Sequence, residues 1–241
     1  MLILAHRGAS ADAPENTLAA FREAAAQGAD GVELDVMVCG SGEVVVCHDE
    51  RLDRLSGRDL EVRATPLWKL QRLDVGEHLR FGAFATIPTL EEVIAALPEH
   101  FLINIELKCE QADDAGLSVK VGEYVERAGL SGRVIISSFN PLCLMQVAAS
   151  FPALRRGFLI DPDKPFWLQY ALLTPLCSSF SVHPHHHACT EPRMRSWAEA
   201  GLKVATWTVD DPEEAARLRA LGVSYCITNR PRALREGLAG P

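Results

Sequence analysis

The sequence predicts an α/β fold, a closed (β/α)8 TIM barrel carrying an insertion after its second strand. Three observations lead there. Eight apolar, strand-like runs alternate with amphipathic helical patterns, near residues 2–6, 31–36, 101–108, 133–138, 154–160, 179–183, 203–208 and 223–228, the rhythm of a parallel sheet with helical crossovers. A chain of 241 residues with 48% hydrophobic composition can bury one large core, so residues 1–241 read as a single domain. Residues 49–88 break the rhythm, too long for a simple loop and without a strong helical stripe. Eight repeats suit a closed barrel better than an open doubly wound sheet, which counting alone leaves as the alternative.

Each element has its own signal. The first strand, in LILAHRGAS, stops abruptly at His6, Arg7 and Gly8, which places a titratable ring and a fixed cation at a strand end. In PENTLAAFREAAAQG, Leu18, Phe21 and Ala25 share one helical face and Gly28 supplies the stop. In GVELDV, residues two apart share a face, so Glu33 and Asp35 project together while Val32, Leu34 and Val36 face the helices. EVVVC reads as a short extension beyond the second strand that delivers His48. Inside the insertion, Trp68, Phe81 and Phe84 read either as a lid over the barrel mouth or as a satellite core beneath it. TLEEV offers a capping box between Thr89 and Glu92. FLINIELK puts Asn104, Glu106 and Lys108 on one face and Ile103, Ile105 and Leu107 on the other. In DDPEEAARLRALG, Asp211 caps, Pro212 takes the first helical position and Gly222 terminates.

The net charge of −8 and isoelectric point near 5.5 exclude broad electrostatic binding to nucleic acid or an anionic membrane. An anionic substrate must therefore meet local positive charge. Seven scattered cysteines without a Cys-x-x-Cys pair suggest neither a disulfide framework nor a thiolate zinc site, and reduced, buried thiols are expected. The N-terminal apolar run ends after five residues, and YALLTPLCSSFSV is broken by Pro175, too short to span a bilayer. A cytoplasmic protein without stable membrane insertion is expected; association into a homo-oligomer is left open.

Carboxylates from two strands converging at the C-terminal mouth make an oxygen-rich site suited to a hard divalent cation, Mg2+ or Ca2+. The plainer alternative is a buried ion-pair network among Glu33, Asp35, Glu106 and Lys108 that fixes the barrel. His6 and His48 reach the same mouth, and a pair of imidazoles can divide the roles of general base and general acid. Nucleophile elbows, phosphate loops, dinucleotide fingerprints and zinc-protease helices are absent from the sequence. The HPHHH run at 183–187 has the composition to capture transition metals but reads as a surface loop, with only His183 close enough to the sixth strand end to face the site.

AHRGAS, PENTLAAF, GADGVELDV, VVVCHDERLDR, IPTLEEV, IELK, VATWTV and ITNRP, in this order and spacing over nearly the whole chain, resemble the glycerophosphodiester phosphodiesterase family. The resemblance implies a (β/α)8 barrel with residues 49–88 as the insertion. It implies Glu33, Asp35 and Glu106 as ligands of one divalent ion, His6 and His48 as acid and base, Arg7 and Lys108 on the phosphate, and Trp207 against the substrate. The implied reaction is hydrolysis of a glycerophosphodiester to sn-glycerol 3-phosphate and an alcohol such as choline or ethanolamine. Two departures stand out: Asp210 where the family often has Asn, and Asn229 where it often has Asp. Both are expected to bear on substrate positioning rather than on catalysis. The competing readings are a lysophospholipase D using the same site on an acylated diester, and a non-enzymatic barrel that binds phosphorylated ligands.

Overall fold

The computed structural model describes residues 1–76, 78–79, 81–109, 114–161, 174–177 and 180–239. Of the YALLTPLCSSFSV run, 170–173 and 178–179 lie outside the described residues. The strands are β1 (Leu2–His6), β2 (Gly31–Val38), β3 (Val44–Val46), β4 (Leu102–Leu107), β5 (Val134–Ser138), β6 (Arg155–Ile160), β7 (Ser181–Pro184), β8 (Lys203–Thr206) and β9 (Tyr225–Thr228). The helices are α1 (Leu18–Ala26), α2 (Asp53–Ser56), α3 (Leu67–Leu70), α4 (Leu90–Ala96), α5 (Leu117–Arg127), α6 (Pro141–Ser150), α7 (Thr174–Cys177), α8 (Glu191–Glu199), α9 (Pro212–Ala220) and α10 (Pro231–Ala239). Eight of the strands pair in parallel, and β1 pairs with both β9 and β2. The sheet therefore closes, which removes its edges and settles the barrel against the open sheet.

The added strand is β3, antiparallel to β2 with Val36 opposite Val46. The hairpin sends the chain back alongside β2, so that Cys47 N–H reaches the Asp35 carbonyl at 2.9 Å and His48 arrives level with Asp35. Helix ends follow the local signals: Thr17 caps α1, Thr89 and Glu92 complete the box at α4, and Asp211 caps α9 with Pro212 behind it.

Val32, Leu34 and Val36 of β2 join Ile103, Ile105 and Leu107 of β4 in the layer between barrel and helices. Each such side chain, taken fully out of water, contributes about 1.5–3 kcal/mol, and their burial fixes the register that turns Glu33, Asp35 and Glu106 inward. Residues 49–88 do build a satellite core, with Leu52, Leu55, Val62, Leu70, Val75 and Ile87 packed on Met37 and Val45. Its contents correct the expectation for the aromatics. Trp68, Phe81 and Phe84 are 61%, 36% and 70% exposed, because short aliphatics already fill the space beneath the insertion.

The expectation of reduced thiols throughout also fails at one pair. Cys109 and Cys143 form a disulfide across 34 residues, while Cys39, Cys47, Cys177, Cys189 and Cys226 are buried and outside any disulfide. The exit of β4 adjoins α6 in the barrel order, a proximity that spacing along the chain does not reveal. Among the described residues no helix is long and apolar enough to cross a membrane.

Candidate active site

The mouth is built where β1, β2 and β4 end. In register, Glu33 lies beside Asn104 and Asp35 beside Glu106 on neighbouring strands, so the side chains of like parity meet inside the barrel. Glu33, Asp35 and Glu106 are buried and each offers an oxygen within 4.8 Å of the other two. Asp35 is ringed by donors: Lys108 Nζ at 3.1 Å, Arg7 Nε at 3.1 Å and Asn16 Nδ2 at 2.8 Å. Burial alone would push its carboxyl up, but Lys108 and Arg7 hold it well below the usual carboxylate range. Glu33 goes the other way. Burial, with Asp35 and Glu106 beside it, raises it well above the ordinary value, and its Oε1 is a buried oxygen without a partner. Lys108 Nζ also sits 2.5 Å from Glu106 Oε1, yet burial keeps the Glu106 carboxyl raised.

These facts test the fit of a divalent cation. A group of three inward carboxylates, one of them holding an unsatisfied oxygen and two pushed toward protonation by burial and mutual repulsion, is what a hard cation would relieve. The plain ion-pair network accounts for Asp35 with Lys108 and Arg7; it leaves Glu33 without a cation of its own.

His6 and Arg7 reach the mouth through a strained turn. Arg7 has φ of +55° and Gly8 of +83°, the left-handed region that costs a side chain energy. A Cβ on Gly8 would lie 2.5 Å from the Ala20 carbonyl carbon, so the turn closes onto α1 only with glycine. His6 Nδ1 lies 2.7 Å from Asn229 Oδ1. Asn229 is oriented in turn by Asp210, whose Oδ2 accepts Asn229 Nδ2–H at 2.7 Å and whose Oδ1 accepts the Asn229 backbone N–H at 2.8 Å. The amide oxygen is therefore the atom left facing His6, and Nδ1 carries the proton in that bond. Nε2 points into the mouth, 3.9 Å from Glu33 Oε2. Burial, with Arg7 beside the ring, lowers the His6 imidazole to about 4.

His48 is oriented in parallel fashion. Its Nδ1 lies 2.7 Å from Asp49 Oδ1, and Asp49 Oδ2 accepts Arg54 Nε–H at 2.6 Å. Arg54 forks onto Glu15 with both contacts at 2.8 Å, and Glu15 also accepts Arg7 Nη1–H at 2.8 Å. One chain of charge thus links the insertion, the loop before α1 and the end of β1. The cavity at the mouth has a volume of about 210 Å3 and is bordered by His6, Arg7, Glu33, His48, Glu106 and Lys108 on its polar side and by Phe139, Leu159, Trp207 and Ile227 on its apolar side. Trp207 is pinned by Nε1–H to the His183 carbonyl at 2.8 Å and by an edge contact with Phe139 at 5.6 Å.

All eight residues singled out from the sequence are therefore near this mouth, seven of them bordering the cavity and Asp35 just beneath it. His183 is not. It is fully buried inside the barrel, 2.8 Å from Ser181 Oγ, in space that Gly157 leaves open. Trp68, Phe81 and Phe84 do not border the cavity. Sequence reasoning missed Glu15, Asn16 and Arg54 and gave Asp49 no role. Glu15 and Asn16 stand before the Thr17 cap, outside the helix that PENTLAAF suggests, and their position just ahead of a cap was the available signal. The two departures also need correction: Asp210 and Asn229 hydrogen-bond to each other, and Asn229 contacts His6, so they bear on a histidine and not on substrate positioning alone.

A sequence model of the glycerophosphoryl diester phosphodiesterase family matches residues 6–233. The chain belongs to this family. It is an enzyme of the phosphoric diester hydrolase class, a glycerophosphodiester phosphodiesterase by membership. A glycerophosphodiester phosphodiesterase of Caldanaerobacter subterraneus subsp. tengcongensis is 36% identical over 239 residues, 97% of this chain and 96% of the relative. Among solved structures, an Oleispira antarctica phosphodiesterase in complex with the product sn-glycerol-3-phosphate has a TM-score of 0.84 at 30% identity, covering 100% of this chain and 97% of that one. A glycerophosphodiester phosphodiesterase from Thermotoga maritima has a TM-score of 0.76 at 29% identity, covering 98% and 97%.

Proposed function

We propose that this chain, acting through residues 1–241 as one catalytic domain, hydrolyses glycerophosphodiesters to sn-glycerol 3-phosphate and an alcohol. The observation that carries the reading is the pairing, at one mouth, of three inward carboxylates with two imidazoles that are each held from their Nδ1 side. Glu33, Asp35 and Glu106 would hold one divalent ion, Mg2+ or Ca2+. When bound, that ion supplies charge stabilisation for the phosphoryl oxygens.

The remaining roles belong to the chain's own side chains. Arg7 and Lys108 lie on the cavity wall within reach of both the acidic group and an incoming diester, and they would offset its negative charge as it grows in the transition state. His6, with Nδ1 donating to Asn229, offers Nε2 as a proton acceptor. His48, its ring held from Nδ1 by the Asp49 carboxylate, takes the proton-donating role toward the leaving oxygen. The apolar wall of Trp207, Phe139, Leu159 and Ile227 suits the glycerol carbons. A second cavity of about 330 Å3 shares His6 and Arg7 with the first and is lined by Ser10, Glu15 and Asn229. The diester would straddle this shared edge.

The test is release of sn-glycerol 3-phosphate from a panel of glycerophosphodiesters and lysophospholipids, before and after chelation. Activity should vanish in excess chelator and return with Mg2+ or Ca2+, and Glu106→Gln should stay inactive with metal while remaining folded. Full turnover in chelator would overturn the metal assignment, and preference for the lysophospholipids would replace the substrate class.

A further inference from the structure

The histidine-rich run after β7 is not absorbed by the site above. His185 follows the strand and bridges to Trp207, and His186–Ala188 form a single 3-10 turn. The three imidazoles of His185, His186 and His187 are gathered rather than splayed, with ring centroids 4.5 Å, 4.1 Å and 4.9 Å apart. One ring nitrogen of each lies within 4.8 Å of those of the other two. Among the described residues the only other such group is the acidic one at the mouth.

The surroundings hold this cluster in place. His186 Nδ1 lies 2.7 Å from Glu214 Oε1. Glu214 is itself clamped by Arg217, whose Nε–H and Nη2–H reach it at 2.6 Å and 2.7 Å. Arg217 also donates from Nη1 to the Cys189 carbonyl at 3.1 Å and from Nη2 to the His186 carbonyl at 3.4 Å. Helix α9 therefore fastens the turn from behind. His185 Nδ1 accepts the His187 backbone N–H at 3.4 Å, which ties the first ring to the third residue of the run. With its Nδ1 on the Glu214 carboxylate, His186 presents Nε2 as the ligating atom, and a carboxylate behind a histidine is the usual support of a metal-bound ring.

We propose that His185, His186 and His187 form a second metal site, for a borderline transition ion such as Zn2+ or Ni2+, distinct from the acidic group at the mouth. Three neutral nitrogen donors favour these ions over Mg2+ and Ca2+, which take oxygen. Tetrahedral Zn2+ with bonds of about 2.0–2.1 Å needs donor nitrogens about 3.4 Å apart, closer than the present spread. Rotation of partly exposed rings supplies that closure, while the Glu214 and Arg217 clamp keeps the backbone still. Three protein ligands leave a fourth position for water, facing the cavity that His187 borders with Thr190, Glu191 and Glu214. The site would touch the catalytic mouth through one contact, the His185 ring standing edge-on to Trp207 at 5.3 Å.

The test is calorimetric titration of Zn2+ into the full chain with Mg2+ in large excess. The wild type should bind one Zn2+. Glu33→Gln/Glu106→Gln should bind it equally well. His186→Ala/His187→Ala should weaken it by at least about 100-fold, and Glu214→Gln, which keeps every ring, by about 10- to 100-fold. Since Glu214→Gln leaves the ligands in place, it decides the matter even where the double variant melts early. His187→Ala should retain basal hydrolysis of glycerophosphodiesters. Absence of Zn2+ binding in the wild type, binding lost with the acidic residues, or binding indifferent to both Glu214 and the histidines would each overturn the proposal.

Discussion

The contact of Asp210 with Asn229 gives a quantitative test of how His6 is held. In Asp210→Asn the partner of Asn229 becomes a second amide, so nothing forces the Asn229 oxygen toward His6. The carboxylate that now accepts from Asn229 Nδ2 at 2.7 Å and Asn229 N at 2.8 Å makes charge-assisted bonds worth about 1.5–3 kcal/mol. Losing that preference should lower kcat/KM by roughly 10- to 150-fold. The ceiling is about 10,000-fold, the cost seen in a serine protease whose histidine is trapped in the wrong tautomer. Asn229→Asp alone should also be impaired, because two carboxylates would face each other across the same contact. In Asp210→Asn/Asn229→Asp the bond is rebuilt in mirror image: the amide introduced at position 210 donates, and the carboxylate introduced at position 229 accepts directly from His6 Nδ1. Activity should return to within about 3-fold of the parent, a coupling that additive effects exclude. The pH–rate profile supplies the second readout. His6 is held down to about 4 by burial and Arg7; a carboxylate on Nδ1 favours the imidazolium, so the acid limb of the double variant should move to higher pH. If the double variant showed the product of both losses and an unmoved limb, the Asp210 to Asn229 to His6 relay would be wrong.

Two further outcomes follow from the site. His6→Ala and His48→Ala should each cost roughly 100- to 10,000-fold, while the double variant loses much less than the product; a p-nitrophenyl leaving group should rescue the variant lacking the acid, here His48→Ala, and not the other. Trp68 is 61% exposed and does not border the catalytic cavity, so Trp68→Ala should leave the preference among leaving alcohols unchanged, and a changed preference in the substrate panel would restore the lid reading.

Much of the barrel was legible because it rests on period-two patterning and on caps, both local. Glu33 and Asp35 could be placed inward because Val32, Leu34 and Val36 between and beside them have to face the helices, and β4 obeys the same rule. What was not legible is what closure brings together. Asn229 lies 223 residues from His6 and Arg54 lies 39 from Glu15; no periodicity encodes such contacts, since they depend on which strand ends share a mouth. The aromatics of the insertion misled for a related reason. Hydrophobicity predicts that a Trp or Phe will be buried, but the satellite core had been filled by Leu and Val from the same segment and by β2 and β3. The Cys109 and Cys143 pairing was hidden likewise, as spacing along the chain carries no information about the neighbourhood of β4 and α6.

The opposed titration of Glu33 and Asp35 lets the metal reading be tested without following turnover. Glu33 is raised well above its ordinary value by burial and by the Asp35 and Glu106 charges. A carboxyl whose folded pKa lies above its unfolded one stabilises the fold fully below the unfolded value, and that contribution is lost as pH rises through the folded value. Asp35 is lowered by Lys108 and Arg7, so its contribution is present above the ordinary carboxylate range and lost only in strong acid. In chelator, therefore, the Glu33 penalty should grow as pH rises from the ordinary carboxylate range through the raised value of Glu33, while Asp35 contributes a constant amount. A divalent ion on the same oxygens displaces the Glu33 proton and offsets the repulsion, so the rise in Tm produced by Mg2+ should be small at the acid end and larger at the alkaline end. The measurement is a thermal shift with and without Mg2+ across that range, repeated on Glu33→Gln, in which the pH dependence should flatten because the titrating group is gone. A Mg2+ shift independent of pH in the parent, or one equally steep in Glu33→Gln, would place the ion elsewhere and return the three carboxylates to a structural role.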